Sequence, residues 1–339
     1  LIVAIGFGWL NQANLRYYSK DNKDNEYNKS QLRAFFYSSL ISLFVLITLV
    51  IIQSLSIELL LICLLSIVGI GSFNYIKTFF QAMISPLKVI WLTFSQSLLA
   101  LLIPLLMLLI FYKNGNTILI GVGLSSIVIT LFFMTKTKNI IILKDKPFKS
   151  KKLIFKWFLY GGPLSIWFAA GLALPFLDRF FINYYLTSEE LGIYASVHEL
   201  LTKIFSLIIF PLTMAMHPRI MNYWNDSNKY DAIKLIKWGI GILSLIGLFI
   251  FIFLLSFDNI FFIIINKLIP QFKIEYKTII IPLILTGFLW QLSFLTHKML
   301  ELREKTHIMV FFIIISLIIN IIGNIYFVPS FGLIATANT

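Results

Sequence analysis

The chain predicts an all-α integral membrane fold that crosses the bilayer many times, and three observations carry that prediction. Hydrophobic residues make up 59% of it and charged residues only 13%, with a mean hydropathy of +0.89. So little polar surface does not suit a water-soluble domain. Apolar runs of about twenty residues, enough to cross ~30 Å of hydrocarbon at 1.5 Å per residue, recur along its whole length. Lys and Arg gather in alternate connections between those runs, as the positive-inside rule requires of a multi-pass protein.

The elements follow in order. Residues 1–15 (LIVAIGFGWLNQANL) read as the inner part of a first helix, and residues 16–33 as a polar loop. Residues 34–53 and 57–76 form one helical hairpin and 91–112 and 117–135 a second. A basic connection covers 136–156, and 157–183 and 191–214 form a central pair of crossings. Residues 238–257, 278–296 and 308–328 complete ten crossings, the first partial, and 333–339 read as the opening of another. The chain opens at Leu1 without a signal-peptide pattern and closes at Thr339 in an apolar run, so a fragment lacking both ends is expected.

The cation distribution orients these crossings. The loops assigned to the cytoplasmic side hold 22 of the 28 Lys and Arg residues, and the outer loops hold four, Lys113, Lys267, Lys273 and Lys277. The connection 136–156 is the most basic: Lys136, Lys138, Lys144, Lys146, Lys149, Lys151, Lys152 and Lys156 meet one acid, Asp145. A net charge of +13 sorted in this way marks membrane topology and contact with membrane lipids, not nucleic-acid binding. The outer segment 258–277 contains FFIIINKLI, apolar but too short to span, so it is expected at the interface or over the outer mouth. The remaining outer loops leave no room for an extracytoplasmic catalytic domain. Cys63, the single cysteine, excludes a disulfide framework.

Ionisable groups within the spans are the candidate functional residues, because a charge at the bilayer centre costs about 2.5 to 3.5 kcal/mol on insertion scales. Glu199 and Lys203 lie roughly 12 and 18 Å along their helix from its outer start. Their i, i+4 spacing with the acid first favours a pair, which either pins helix packing or belongs to a polar stripe that His198 and Thr202 extend. Asp178 and Arg179 are adjacent, about 100° apart around a helix, so each needs its own partner, unless they are interfacial residues that snorkel. Arg16 and Arg219 sit at inner helix ends, either as anchors or as cleft cations. Gly161, Gly162 and Pro163 fall in the first turns of the central helix; with Pro104, Pro175, Pro211 and Pro282 they suggest hinged helices. His217, His297 and His307 lack metal-ligand spacing and read as surface residues. No DxD, G-x-S-x-G, HExxH, P-loop or dinucleotide motif is found, so neither an enzyme, a metal site nor a cofactor is expected.

Three stretches carry a resemblance. LPFLDRFFINYYLTSEELGIYA, residues 174–195, is similar to the junction of the seventh and eighth helices in bacterial polysaccharide flippases. There an Asp-Arg precedes an acid-Leu-Gly-x-Tyr motif, here Glu190, Leu191, Gly192 and Tyr194. GFGWLNQANLRYYSK resembles the end of that family's second helix, and YFVPSFGLIATA the lead into its twelfth. The chain thus resembles an O-antigen or capsule repeat-unit translocase of the Wzx type, in the multidrug/oligosaccharidyl-lipid/polysaccharide exporter superfamily.

That resemblance implies two six-helix lobes around a cleft that opens alternately to each side. The N-terminal lobe would occupy 1–135, the inter-lobe connection 136–156 and the C-terminal lobe 157–339. It implies a polyprenyl-diphosphate-linked oligosaccharide as substrate, other polysaccharide assembly proteins as partners and the bacterial cytoplasmic membrane as location. Arg16, Arg179, Lys203 and Arg219 are then candidates to hold the diphosphate. Tyr17, Asn183, Tyr184 and Trp167 are candidates to line the sugar path. Asp178, Glu199 and His198 are candidates to couple transport to an ion gradient. The rival expectations are a multidrug/cation antiporter of the same fold, a membrane polysaccharide polymerase, which would need larger outer loops, and a membrane scaffold, which would not need buried charges.

Overall fold

The computed structural model describes residues 1–21, 25–54, 56–111, 114–136 and 150–339. Lys138, Lys144, Lys146 and Lys149, half of the basic connection, lie outside the described residues. The described chain is helical throughout. The helices are α1 (Ile2–Asp21), α2 (Asn25–Ile52), α3 (Ile57–Ala82), α4 (Pro86–Ile110), α5 (Gly115–Lys136), α6 (Ser150–Tyr185) and α7 (Ser188–Asn225). They continue as α8 (Lys229–Ser256), α9 (Asp258–Leu268), α10 (Ile280–Thr296), α11 (Lys298–Leu302), α12 (Thr306–Phe331) and α13 (Leu333–Asn338), with a 3₁₀ turn at Ile274–Ile279.

Among the described residues, eight helical stretches are long and apolar enough to cross a membrane: α2 to α6, α8, α12, and α10 with its flanks. The bent α7, which turns by 50° between its halves Ser188–Leu207 and Pro211–Asn225, makes a ninth when its two halves are counted as one span. The difference from the ten crossings read from sequence is α1, a helix in which Asn11, Gln12, Asn14 and Arg16 follow closely and dilute its apolar character. The bend in α7 begins at Pro211, whose ring removes a helical hydrogen bond.

The chain divides into two compact units, Leu1–Ala169 and Ala170–Thr339, with the division inside α6. In the first unit, small residues let backbones meet, the usual basis of helix association where lipid removes the hydrophobic driving force. A Cβ on Gly69 would fall 2.5 Å from the carbonyl oxygen of Gly123, so α3 and α5 touch there, and the Ser66 hydroxyl donates to the Leu119 carbonyl at 2.8 Å. Pro104 does not interrupt α4; its ring packs where a Cβ on Gly121 would stand, 2.7 Å from Pro104 Cα.

Gly161, Gly162 and Pro163 also differ from expectation. Helical residues from Ser150 onward, including Lys151, Lys152 and Lys156, carry α6 well before its apolar stretch, so the three lie in its interior and not in its first turns. Gly161 is a contact point: a Cβ there would lie 2.1 Å from the Trp9 carbonyl oxygen of α1. One turn on, the Ser165 hydroxyl donates to the Ile5 carbonyl at 2.9 Å. The clash partner is backbone and cannot rotate away. Gly161→Ala is therefore expected to destabilise the first unit by about 1–3 kcal/mol, read as a fall in the thermal unfolding midpoint of the purified protein; an unchanged midpoint would show that the approach is not tight.

The core of the second unit joins the later part of α6 to α7, α8 and α10 through Ile182, Tyr194, Val197, Phe205, Leu243, Leu283 and Leu295. α9 is the apolar segment too short to span. Its Ile265 is buried and Asn266 Nδ2 donates to the Phe272 carbonyl at 2.8 Å, while Ile263 and Leu268 stay exposed. α13 follows a break at Gly332, whose φ of +62° a side chain would strain.

Candidate functional site

The second unit contains a cavity of about 370 Å³ lined from α6, α7, α10, α12 and α13. Its construction begins at the α6–α7 turn. Thr187 caps α7: its hydroxyl accepts from the Glu190 amide at 3.2 Å, and the Glu190 carboxylate accepts from the Thr187 amide at 3.0 Å. That reciprocal box sets the start of α7. Counting in helical turns from there, Tyr194, His198 and Thr202 fall in one i, i+4 row and Glu199 and Lys203 in the next, and all five line the cavity. Glu190 therefore has a local structural task within the acid-Leu-Gly-x-Tyr motif, and the motif's tyrosine reaches the site.

Asp178 is the buried centre. Its Oδ2 accepts from the Tyr194 hydroxyl at 3.1 Å, and its Oδ1 accepts from Asn320 Nδ2 at 2.8 Å and from Asn324 Nδ2 at 3.3 Å. With 8% of its surface exposed it does not snorkel. Three neutral donors hold this carboxylate in place. The oxygens of the two amides, Asn320 Oδ1 and Asn324 Oδ1, and elsewhere in this unit Gln291 Oε1 and Thr336 Oγ1, are buried and make no hydrogen bond to protein. All four residues belong to this unit, and Asn320, Gln291 and Thr336 line the same cavity. The cavity wall thus carries one buried carboxylate held by neutral donors, together with buried side-chain oxygens that have no protein donor.

Arg179, next in sequence, takes the separate partner that its helix position demands. Its guanidinium lies 3.6 Å from Glu199, whose other oxygen lies 3.4 Å from Lys203 Nζ. One carboxylate thus bridges two cations on the cavity wall. Arg179 is about one-third exposed, whereas Glu199 and Lys203 are exposed by more than half. His198 stacks on Tyr194 with ring centroids 6.0 Å apart and planes inclined by 19°.

The other candidates are placed elsewhere. Arg16 is buried in the first unit with its guanidinium 5.7 Å from the Tyr17 ring, and Lys156 Nζ sits 4.1 Å from the same ring. Arg219 is exposed near the far end of α7, Asn183 and Tyr184 are exposed at the end of α6, and Trp167 is buried in the first unit against Phe168. None of these lines the cavity. His307 is exposed as expected, but His217 and His297 are not surface residues. Lys298 and Glu301, both 3% exposed, draw them into a buried group, because an ion pair shielded from water must find polar neighbours.

Trp290, Gln291, Asn320, Asn324 and Thr336 were not legible as site residues. One signal was available: NIIGN in α12 sets two amides at i, i+4 inside an apolar run, where each requires a partner.

The comparisons agree with this architecture. A family model described as polysaccharide biosynthesis protein matches residues 2–224, and a second, MatE, matches residues 163–326. No curated protein matches the chain in sequence. Among solved structures, a MATE in the bent conformation superposes with a TM-score of 0.72 at 16% identity, covering 99% of this chain and 80% of that one. An outward-facing multidrug resistance MATE family transporter of the MOP superfamily gives 0.68 at 20% identity, covering 99% and 79%. These structural likenesses speak to fold. The family match spans well over half of the chain, and with it this all-α, multi-pass membrane protein belongs to the polysaccharide biosynthesis protein family of the multidrug/oligosaccharidyl-lipid/polysaccharide exporter superfamily of transporters.

Proposed function

We propose that the chain flips polyprenyl-diphosphate-linked oligosaccharide repeat units across the bacterial cytoplasmic membrane, by alternating access, for O-antigen, capsule or exopolysaccharide assembly. The observation that carries this reading is the pair of cations, Arg179 and Lys203, held on the cavity wall by the single carboxylate of Glu199. An anionic diphosphate needs such cations to leave water, while its lipid tail can remain in hydrocarbon. Exposed ion pairs are worth only about 0–1 kcal/mol, so Glu199 yields its partners readily. Charge-assisted, bidentate contacts from Arg to phosphate are stronger. Glu199 then acts as an internal anion that keeps both cations positioned until substrate replaces it.

Asp178 is the coupling residue in this scheme. A proton or a sodium ion at its carboxylate would neutralise the buried charge, and the driving gradient would act by loading and unloading that site. Membrane lipids and other polysaccharide assembly proteins are the partners this function entails.

Glu199→Gln tests the internal-anion role. Without its charge, Arg179 and Lys203 are free for phosphate, so binding of a polyprenyl diphosphate to purified protein is expected to tighten by about 3- to 10-fold, with slower release. Weaker binding would show that Glu199 helps hold substrate and is not displaced by it.

A second reading, a multidrug/cation antiporter, is favoured by one observation: the MatE match takes in Asp178, Arg179, Glu199, Lys203 and Asn320. Expression of the gene in a bacterium lacking its own repeat-unit flippase separates the two. Restored surface polysaccharide supports flipping; efflux of cationic dyes without restoration supports the antiporter.

A further inference from the structure

The buried group at the other end of α7 lies apart from the cavity. Lys298 Nζ donates to both carboxylate oxygens of Glu301 at 2.8 Å and stands 2.9 Å from His217 Nδ1. His297 Nε2 lies 3.3 Å from Glu301 Oε1. An ammonium has donors and no acceptor, so His217 Nδ1 must be the acceptor, and His217 is neutral with its proton on Nε2. This contact joins α7 to α11 across 81 positions of sequence.

A proton added at His217 Nδ1 removes the only acceptor that Lys298 finds on α7 in this group and sets two cations side by side in a buried site. At short range and low dielectric that arrangement is strongly repulsive, and separation relieves it. Glu301 attracts a charge on either histidine, but His217 meets Lys298 directly at 2.9 Å while His297 meets Glu301 directly at 3.3 Å, so a proton on His217 is opposed and one on His297 favoured. The remaining charged groups at this end of the packed elements are turned to solvent: Arg219 and Asp226 on and just after α7, Lys229, Lys234 and Lys237 on α8, Arg303, Glu304 and Lys305 between α11 and α12, and His307 on α12, with Asp231 of α8 half-buried. They add little to the balance inside.

We propose that His217 is a proton-binding site at the cation-rich end of the second unit, and that its occupancy decides whether α7 is latched to α11. The neutral ring closes the latch; the protonated ring opens it. α7 also carries His198, Glu199 and Lys203, roughly 21 to 28 Å of helix away at 1.5 Å per residue and beyond the bend at Pro211, so the latch bears on the same element that lines the cavity. The inference goes beyond substrate identity and holds for either transport reading.

Hydrogen exchange on the purified full chain tests it. The amides of Glu301, Arg303 and Lys305, bonded to the carbonyls of His297, Met299 and Leu300, report on α11. After correction for intrinsic rates, their protection is expected to fall at least about tenfold between pH 8 and pH 5.5 in the wild type. His217→Gln supplies an acceptor for Lys298 that does not titrate and is expected to keep its protection at both values, while His297→Gln follows the wild type. Protection that is flat with pH in the wild type, or lost equally in His217→Gln, overturns the proposal.

Discussion

Asp178→Asn is expected to leave the protein folded and to abolish transport. The asparagine Oδ1 can still accept from Asn320 and Asn324, and its new amide can donate to the Tyr194 hydroxyl, which rotates from donor to acceptor. Every contact survives and only the titratable, cation-attracting charge is lost. Asp178→Leu removes the contacts as well, leaving the Tyr194 hydroxyl and the Asn320 amide without their acceptor at a cost of about 1–3 kcal/mol per buried group, while Asn324 keeps its bond to the Asn320 carbonyl. The pair of variants separates charge from structure. Surface polysaccharide in a flippase-deficient host should be lost in both, and the thermal midpoint should fall only for leucine. Wild-type complementation by Asp178→Asn would remove Asp178 from the coupling mechanism.

The second large effect is expected from removing both cavity cations. Arg179 and Lys203 share Glu199, so a single alanine leaves the carboxylate its other partner and the substrate one remaining cation. Hydrogen bonds to charged groups are worth about 1.5–3 kcal/mol, so each single substitution should weaken binding of a polyprenyl diphosphate by roughly 10- to 100-fold. The double variant Arg179→Ala with Lys203→Ala leaves the negative Glu199 alone on the wall and should lose complementation altogether. Stability should change little, since exposed ion pairs contribute little to it. A folded double variant that still restored polysaccharide would exclude this wall as the diphosphate site.

The contrast between these residues shows what could be read from the chain. The Glu199–Lys203 pair was visible because i, i+4 spacing on a helix is a local relation, and the structure places the two 3.4 Å apart. The need of Asp178 and Arg179 for separate partners followed from the same helical geometry. Which partners they take did not, because Asn320 and Asn324 stand 142 and 146 positions away from Asp178. The histidines failed for a related reason: loop-edge positions say nothing about burial, and the ion pair of Lys298 with Glu301 that encloses His217 is set by how α7 packs on α10 and α11.

By itself the sequence determined the membrane class, the positions of the spans other than α1 and the alternation of charge between loops, all of which follow from hydropathy, helix rise and the cost of moving cations through hydrocarbon. The start of α7 at Ser188, three residues before the crossing read from sequence, is fixed by the Thr187–Glu190 box that the structure shows. Only the tertiary structure decided that an Asp on α6, a Tyr on α7 and two Asn residues on α12 form one site, and that Gly161 is a contact between α6 and α1. Those are relations between helices far apart in the chain; backbone periodicity orients each helix face but does not choose its neighbour.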